Sequence, residues 1–415
     1  MTAINLIDSD MSVMEKETSL ADRKSSGDVG NIDKQCANSS EQEKMEEKPL
    51  VEKKKEPAEK PKRLVSLDAF RGLTIVGMLL VNNIALNDRT PAHLTHAAWN
   101  QGVNFADMVF PWFLLIVGVA IPYASESHFK KGFSRWNYIL KAFGRLITLF
   151  LLGCLIDSSI VKQPVIGLGV LQLIGLSYFM ATFLYWLPGV WRVVTVIVFL
   201  VGHWALIRFY PVPGMEPGIF TEEHNVIAYI NQIYLQPLHL KGLISVVPAS
   251  AIVLIGTITG NILQSKVMSQ KVKFAYMFTL SVGAGLSGWL WSLDLPFNKP
   301  VWTASYILYT AGWGIMVLGL LYLVIDIIGW QKWSFPLVVF GVNAILAYVL
   351  PIMVKLHIFQ EWIWGANMSV IQVYLQFCID RWGPVMGGWV YTISYIMFWW
   401  VVLFYFYKKK IFLRA

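Results

Sequence analysis

The chain has 415 residues, of which 56% are hydrophobic and only 14% charged. Soluble domains carry about a quarter charged residues, so this composition excludes an ordinary soluble enzyme and describes a membrane protein. The net charge of +8 is uneven: residues 1–62 hold 11 of the 34 basic and 14 of the 26 acidic residues. The chain beyond Lys62 is strongly basic, which reads as a positive-inside bias and not as a nucleic-acid surface. Cys36, Cys154 and Cys378 are scattered and odd in number. They form neither a disulfide framework nor a metal-ligand spacing, and no metal is expected.

Residues 1–62 contain no apolar run long enough for a signal peptide, and their Glu, Lys and Ser content cannot bury enough apolar surface to fold. They are expected to be a disordered cytosolic tail ahead of a membrane domain over 63–415. From Arg63 onward, apolar stretches recur that match a helix of roughly 20 residues crossing a hydrocarbon core of about 30 Å. They lie near 65–87, 103–124, 136–157, 165–186, 190–209, 242–263, 273–293, 302–328, 334–355 and 385–407. The fold expected is therefore all-α, a polytopic membrane protein of about ten transmembrane helices. Alternate connections carry Lys130, Lys131 and Arg135, then Arg192, then Lys266, Lys271 and Lys273, then Lys332, and finally Lys408 to Lys410 with Arg414. The others hold only Arg89, Lys162, Lys299 and Arg381, so both termini are expected on the cytosolic side. Two of the outer connections, about 210–241 and 356–384, are long and aromatic, the second with Trp362, Trp364, Trp382 and an amphipathic piece around Val370 to Ile379.

Charged and amide side chains in apolar helices need a partner or a wet cavity. Asp68 and Arg71 lie three apart on one face of the first span, as a helix-end ion pair or as part of a site. Lys141 and Arg145 lie in the cytosolic half of the third span, where an anionic nucleotide entering from the cytosol, or Asp68, would account for them. Asn82 is about three turns beyond Arg71, toward the outer half. The connection then returns His96 toward Asn82 and Asp107, the latter near the outer end of the second span. A histidine beside a carboxylate is held in one tautomer and serves as general base or nucleophile. A solvated loop histidine fits the same spacing, and His93 competes for the role. Gln172, Asn298, Trp302, Thr303 and Asn343 add neutral polar groups, either bonded between helices or lining a polar cavity.

The run RLVSLDAFRG, then VNN, then HAAWNQGVNFADMVFPWFLLIVG resembles the heparan-α-glucosaminide N-acetyltransferase family of transmembrane acetyltransferases. The likeness continues through GVLQLIGLSYF, KGLISVVPASAIVLIGTITG, FNKPVWTASYILYTAGW and FGVNAILAYV, over essentially all of 63–415. It implies transfer of an acetyl group from cytosolic acetyl-CoA to an amino sugar or glycan across the bilayer. By motif, His96 takes the place of the family's active-site histidine and Asn82 that of its partner asparagine, with Asp107 assisting. Arg71, Lys141 and Arg145 are expected to receive the nucleotide of acetyl-CoA, and Trp99, Asn298, Trp302 and Asn343 to line the substrate site. The resemblance also suggests a homodimer, in the plasma or inner membrane of a bacterium or in a lysosomal or other endomembrane of a eukaryote. Two departures stand out: NIALNDRTPAHLT replaces the family's Gly-rich segment after the asparagine, and a polar tail stands where animal enzymes have a lumenal domain. A non-catalytic carrier of a lipid-linked or anionic solute, and an O-acyltransferase using another acyl-CoA, are the rival readings.

Overall fold

The computed structural model describes residues 64–85, 90–214, 216–363 and 368–413. The tail expected over 1–62, with Arg89, Trp364 and Arg414, lies outside the described residues. Twelve helices occur in order among those described: α1 Val65–Asn83, α2 Phe105–Phe129, α3 Arg135–Val161, α4 Val170–Leu184, α5 Gly189–Phe209, α6 Val226–Ile230, α7 Val246–Gln264, α8 Gln270–Trp291, α9 Ala304–Leu321, α10 Phe335–Val342, α11 Ala344–Val354 and α12 Val370–Lys408. No strand occurs among the described residues, only an isolated antiparallel bridge between Ile363 and Ser369. This is an all-α polytopic membrane fold.

Among the described residues each of the ten expected apolar stretches is helical, but they differ in length and apolarity. Seven helices are long and apolar enough to span a membrane, or eight if the pair 332–342 and 344–359, bent by 68° at Asn343, counts as one. The stretch expected over 165–186 yields only α4, 15 residues long. At 1.5 Å per residue that reaches about 22 Å, short of a hydrocarbon core. Gly167 and Gly169 precede it, and the helix starts only after Gly169. Helix α8 has 22 residues, but Lys271, Lys273, Thr279, Ser281 and Ser287 dilute its apolarity. The 356–384 connection is also more ordered than its composition suggests: α12 begins at Val370 and is broken at Gly383, whose φ of 78° only glycine adopts readily. That break separates the first part of the helix from the part that follows Gly383.

Packing is set by the small residues. In lipid, helices gain little from hydrophobicity and associate where backbones can approach closely. Helices α2 and α7, the most enclosed spans, cross at Gly118 and Gly256, where a Cβ on either glycine would overlap the facing carbonyl of Val253 or Leu115. Helices α1 and α10 cross in the same way at Gly72 and Gly341. Trp112 of α2 ties α9 into this centre, its indole N–H donating to the Thr310 carbonyl at 3.0 Å. Helices α3 and α5 lie outside, with Leu151, Ile160, Trp191 and Val198 exposed as a lipid-facing surface requires.

Candidate active site

The connection from α1 to α2 ends in Asn104, Phe105, Ala106 and Asp107, the spacing of a helix N-cap with an acid three residues on. The Asn104 N–H donates to Asp107 Oδ2 at 3.1 Å. The Asn104 amide donates to the carbonyls of Ala92 and Thr95 at 2.9 and 3.0 Å. One asparagine thus starts α2 and clasps the loop immediately before His96. Asp107 accepts a second main-chain bond from Ala97 at 3.0 Å. Its other oxygen, Oδ1, lies 2.8 Å from His96 Nδ1. The carboxylate is buried at 4% side-chain exposure while the His96 ring is 56% exposed.

This contact favours one tautomer: a buried carboxylate that already accepts two N–H groups acts as an acceptor toward the ring, which places the proton on Nδ1. Nε2 is left with its lone pair on the open side, the form required of a nucleophile or general base. His93, in the short 3-10 turn Ala92–Leu94, is exposed and makes no comparable contact with a carboxylate among the described residues.

A cation that sequence reasoning had assigned only to the charge balance of the outer connections joins the pair. Lys299 Nζ lies 3.5 Å from Asp107 Oδ1 and 3.1 Å from His96 Nδ1. Burial holds the Lys299 ammonium below the ordinary lysine value, with Asp107 opposing the shift in part. The only signal for Lys299 in the chain was its place in FNKPVW, beside residues chosen for polarity.

The other expected residues divide. Asn298 is buried and donates to Asn100 Oδ1 at 3.1 Å, while its own Oδ1 accepts from the Val301 N–H at 3.0 Å. It fastens the Lys299 turn to the His96 loop. Trp302 is buried with φ of 59°, edge-on to Phe110 and Tyr306, and the Tyr306 hydroxyl donates to the Asp107 carbonyl at 2.6 Å. Trp99 donates to the Phe220 carbonyl at 3.3 Å and packs on its ring. These five, His96, Asp107, Trp99, Asn298 and Trp302, therefore share one end of the bundle with Lys299. Asn343 does not join them: it sits at the break between α10 and α11 and binds the carbonyl of Ile411 and the N–H of Leu413 at 2.8 and 3.1 Å.

Asn82 makes no hydrogen bond to His96 or Asp107 among the described residues. Its carbonyl accepts from Lys355 at 3.4 Å, and its neighbour Asn83 receives Lys355 and the Tyr391 hydroxyl at 2.9 and 3.3 Å. Asn82 and Lys355 line a small cavity that shares Ile75, Met78 and Tyr348 with a second small cavity lined by Arg145. Arg145 lies 4.6 Å from the Tyr178 ring centroid, its Nε buried without a partner. Lys141 is exposed. Arg71 pairs with Asp68 at 3.2 Å and reaches the Gly341 carbonyl at 3.5 Å.

Two heparan-alpha-glucosaminide N-acetyltransferases, from Homo sapiens and Mus musculus, are each 25% identical to the chain. Their matches cover 70% and 69% of it and 52% and 53% of their own length. The chain thus spans about half the length of the curated relatives it matches. Residues 63–289 match the family described as heparan-alpha-glucosaminide N-acetyltransferase, catalytic, and the chain, over more than half of its length, belongs to that family.

Proposed function

We propose that this protein is a transmembrane acetyltransferase, moving an acetyl group from acetyl-CoA on the cytosolic side to the amine of an amino sugar or glycan on the other. The family and its named relatives support the reaction class, and the distribution of Lys and Arg supports both termini facing the cytosol. The observation that carries the reading is the 2.8 Å bond from His96 Nδ1 to the buried Asp107 carboxylate, because it leaves Nε2 free and basic.

Two uses of that nitrogen fit. As nucleophile, Nε2 attacks the thioester carbonyl, the C–S bond breaks and CoA leaves as thiolate; the acceptor amine then attacks the acetyl-imidazole and restores the ring. As general base, Nε2 takes the proton from the amine while the amine itself attacks the thioester. In both, positive charge develops on the imidazole, and Asp107 stabilises it without moving. Arg145, whose Nε is buried without a partner beside one of the small cavities, supports a place for an acceptor-rich group of the donor, with Arg71 and Lys141 as further cations. Asn82, in the second cavity, is the partner asparagine by motif.

Consumption of acetyl-CoA in the presence of glucosamine, by purified protein in detergent, tests the assignment. Wild type and His93→Ala are expected to release CoA, and His96→Ala is expected not to. Full turnover by His96→Ala would overturn the role of the histidine. Binding of acetyl-CoA by wild type without any turnover would favour a carrier.

A further inference from the structure

Lys299 is held more firmly than a surface lysine needs to be. Its turn is closed by Asn298, whose N–H donates to Thr303 Oγ1 and whose Oδ1 accepts from Val301, each at 3.0 Å. Thr303 Oγ1 donates in turn to the Pro296 carbonyl at 3.1 Å. The Val301 carbonyl is fixed from behind by the buried His203, whose ring nitrogen Nε2 lies 2.9 Å away. Trp302 is kept in the left-handed region, at φ of 59°, a conformation rare for a bulky residue and one that persists only where the surroundings over-determine it. All this ordering delivers one ammonium group, 27% exposed, to the single carboxylate that touches His96.

A lone buried carboxylate beside a histidine has two opposed effects. It orients the ring, which the chemistry needs, and it draws a second proton onto it, which the chemistry cannot use. A fixed cation on the same carboxylate separates them. We propose that Lys299 is a positioning residue whose charge, set on the same carboxylate, lets Asp107 hold the His96 ring in its reactive tautomer without drawing a second proton onto it. The charged groups facing His96 are Asp107 from α2 and Lys299 from the connection between α8 and α9. Apart from the Tyr306 hydroxyl of α9, which donates to the Asp107 carbonyl at 2.6 Å, no other ionisable side chain among the described residues hydrogen-bonds to either. The inference rests on the acetyltransferase reading for its meaning but not for its test.

Removing a positive charge 3.1 Å from Nδ1, and leaving Asp107 uncompensated, favours the imidazolium, so the His96 titration midpoint rises and less neutral ring remains at a given pH. The probe is the rate of carbethoxylation of His96 by diethyl pyrocarbonate as a function of pH. It reports the neutral imidazole, is followed on the His96 peptide by mass spectrometry, and uses the full chain in detergent. In Lys299→Met and Lys299→Gln the midpoint is expected to move up by roughly one to two pH units, the range an adjacent charge produces. Lys299→Arg, which keeps the charge, is expected to stay near wild type. The acid limb of kcat/KM for acetyl transfer should move in parallel. Midpoints unchanged in Met and Gln variants that remain monodisperse, or an Arg variant shifted as far as they are, would overturn the proposal. Loss of turnover in the wild type with the midpoints shifting as stated would overturn the acetyltransferase reading and leave this one standing.

Discussion

Asp107→Asn is the sharpest probe of the site because it changes almost no volume. Asp107 Oδ2 accepts two main-chain N–H groups, from Ala97 and Asn104 at 3.0 and 3.1 Å. An asparagine can satisfy both only by turning its carbonyl oxygen toward them, which aims its NH₂ at His96 Nδ1. Nδ1 then becomes an acceptor and the proton moves to Nε2, the wrong tautomer for a nucleophile or base. Loss of an orienting carboxylate by this route lowers kcat by about 10⁴-fold in a well-studied serine protease. With the main-chain contacts retained here, a loss on the order of 10³-fold in kcat/KM is expected, about 4 kcal/mol of transition-state stabilisation. Folding should suffer far less, by ~1–2 kcal/mol for one charge-assisted bond exchanged and Lys299 left without its counter-ion. The assay pairs CoA release from acetyl-CoA and glucosamine with thermal unfolding of the same preparation. Activity within about tenfold of wild type in a protein of unchanged melting temperature would refute the tautomer argument, since a tenfold loss is only ~1.4 kcal/mol.

The packing supports two further predictions. Gly118→Ala places a Cβ against the Val253 carbonyl at the α2–α7 crossing. Overpacking of this kind costs ~1–3 kcal/mol and should lower the melting temperature in detergent, whereas Gly144→Ala, with open space around it, should not. Arg145→Met removes a guanidinium whose Nε is buried without a partner. It is expected to raise KM for acetyl-CoA by about tenfold with kcat little changed, while the melting temperature holds because the buried Nε has no partner to lose.

Hydrophobic runs and cation placement were enough to specify an all-α membrane protein, because the bilayer imposes a length and a backbone-bonding rule on any spanning segment. The ten helical stretches were legible on that ground, and so was the return of His96 toward Asp107 along a short connection; the Asn104 cap that fixes the two together emerged only in the fold. How many stretches span was not legible. Whether α4 starts at Gly169, and whether α10 and α11 make one bent element at Asn343, depends on neighbours that hydropathy does not register. Asn343 and Asn298 looked alike as isolated amides in apolar sequence; one binds the C-terminal segment and the other the His96 loop, and only the folded chain distinguishes them. Lys299 shows the same limit most plainly. It stands about two hundred residues from His96 in the chain, so no periodicity links the two, and it becomes part of the site only because α9 packs against α2 and α8 against α9, carrying their connecting turn to the same end of the bundle. Spacing along the chain determines what neighbouring residues can do together; which distant charges share a carboxylate is decided by helix packing, through contacts that leave no local pattern in the sequence.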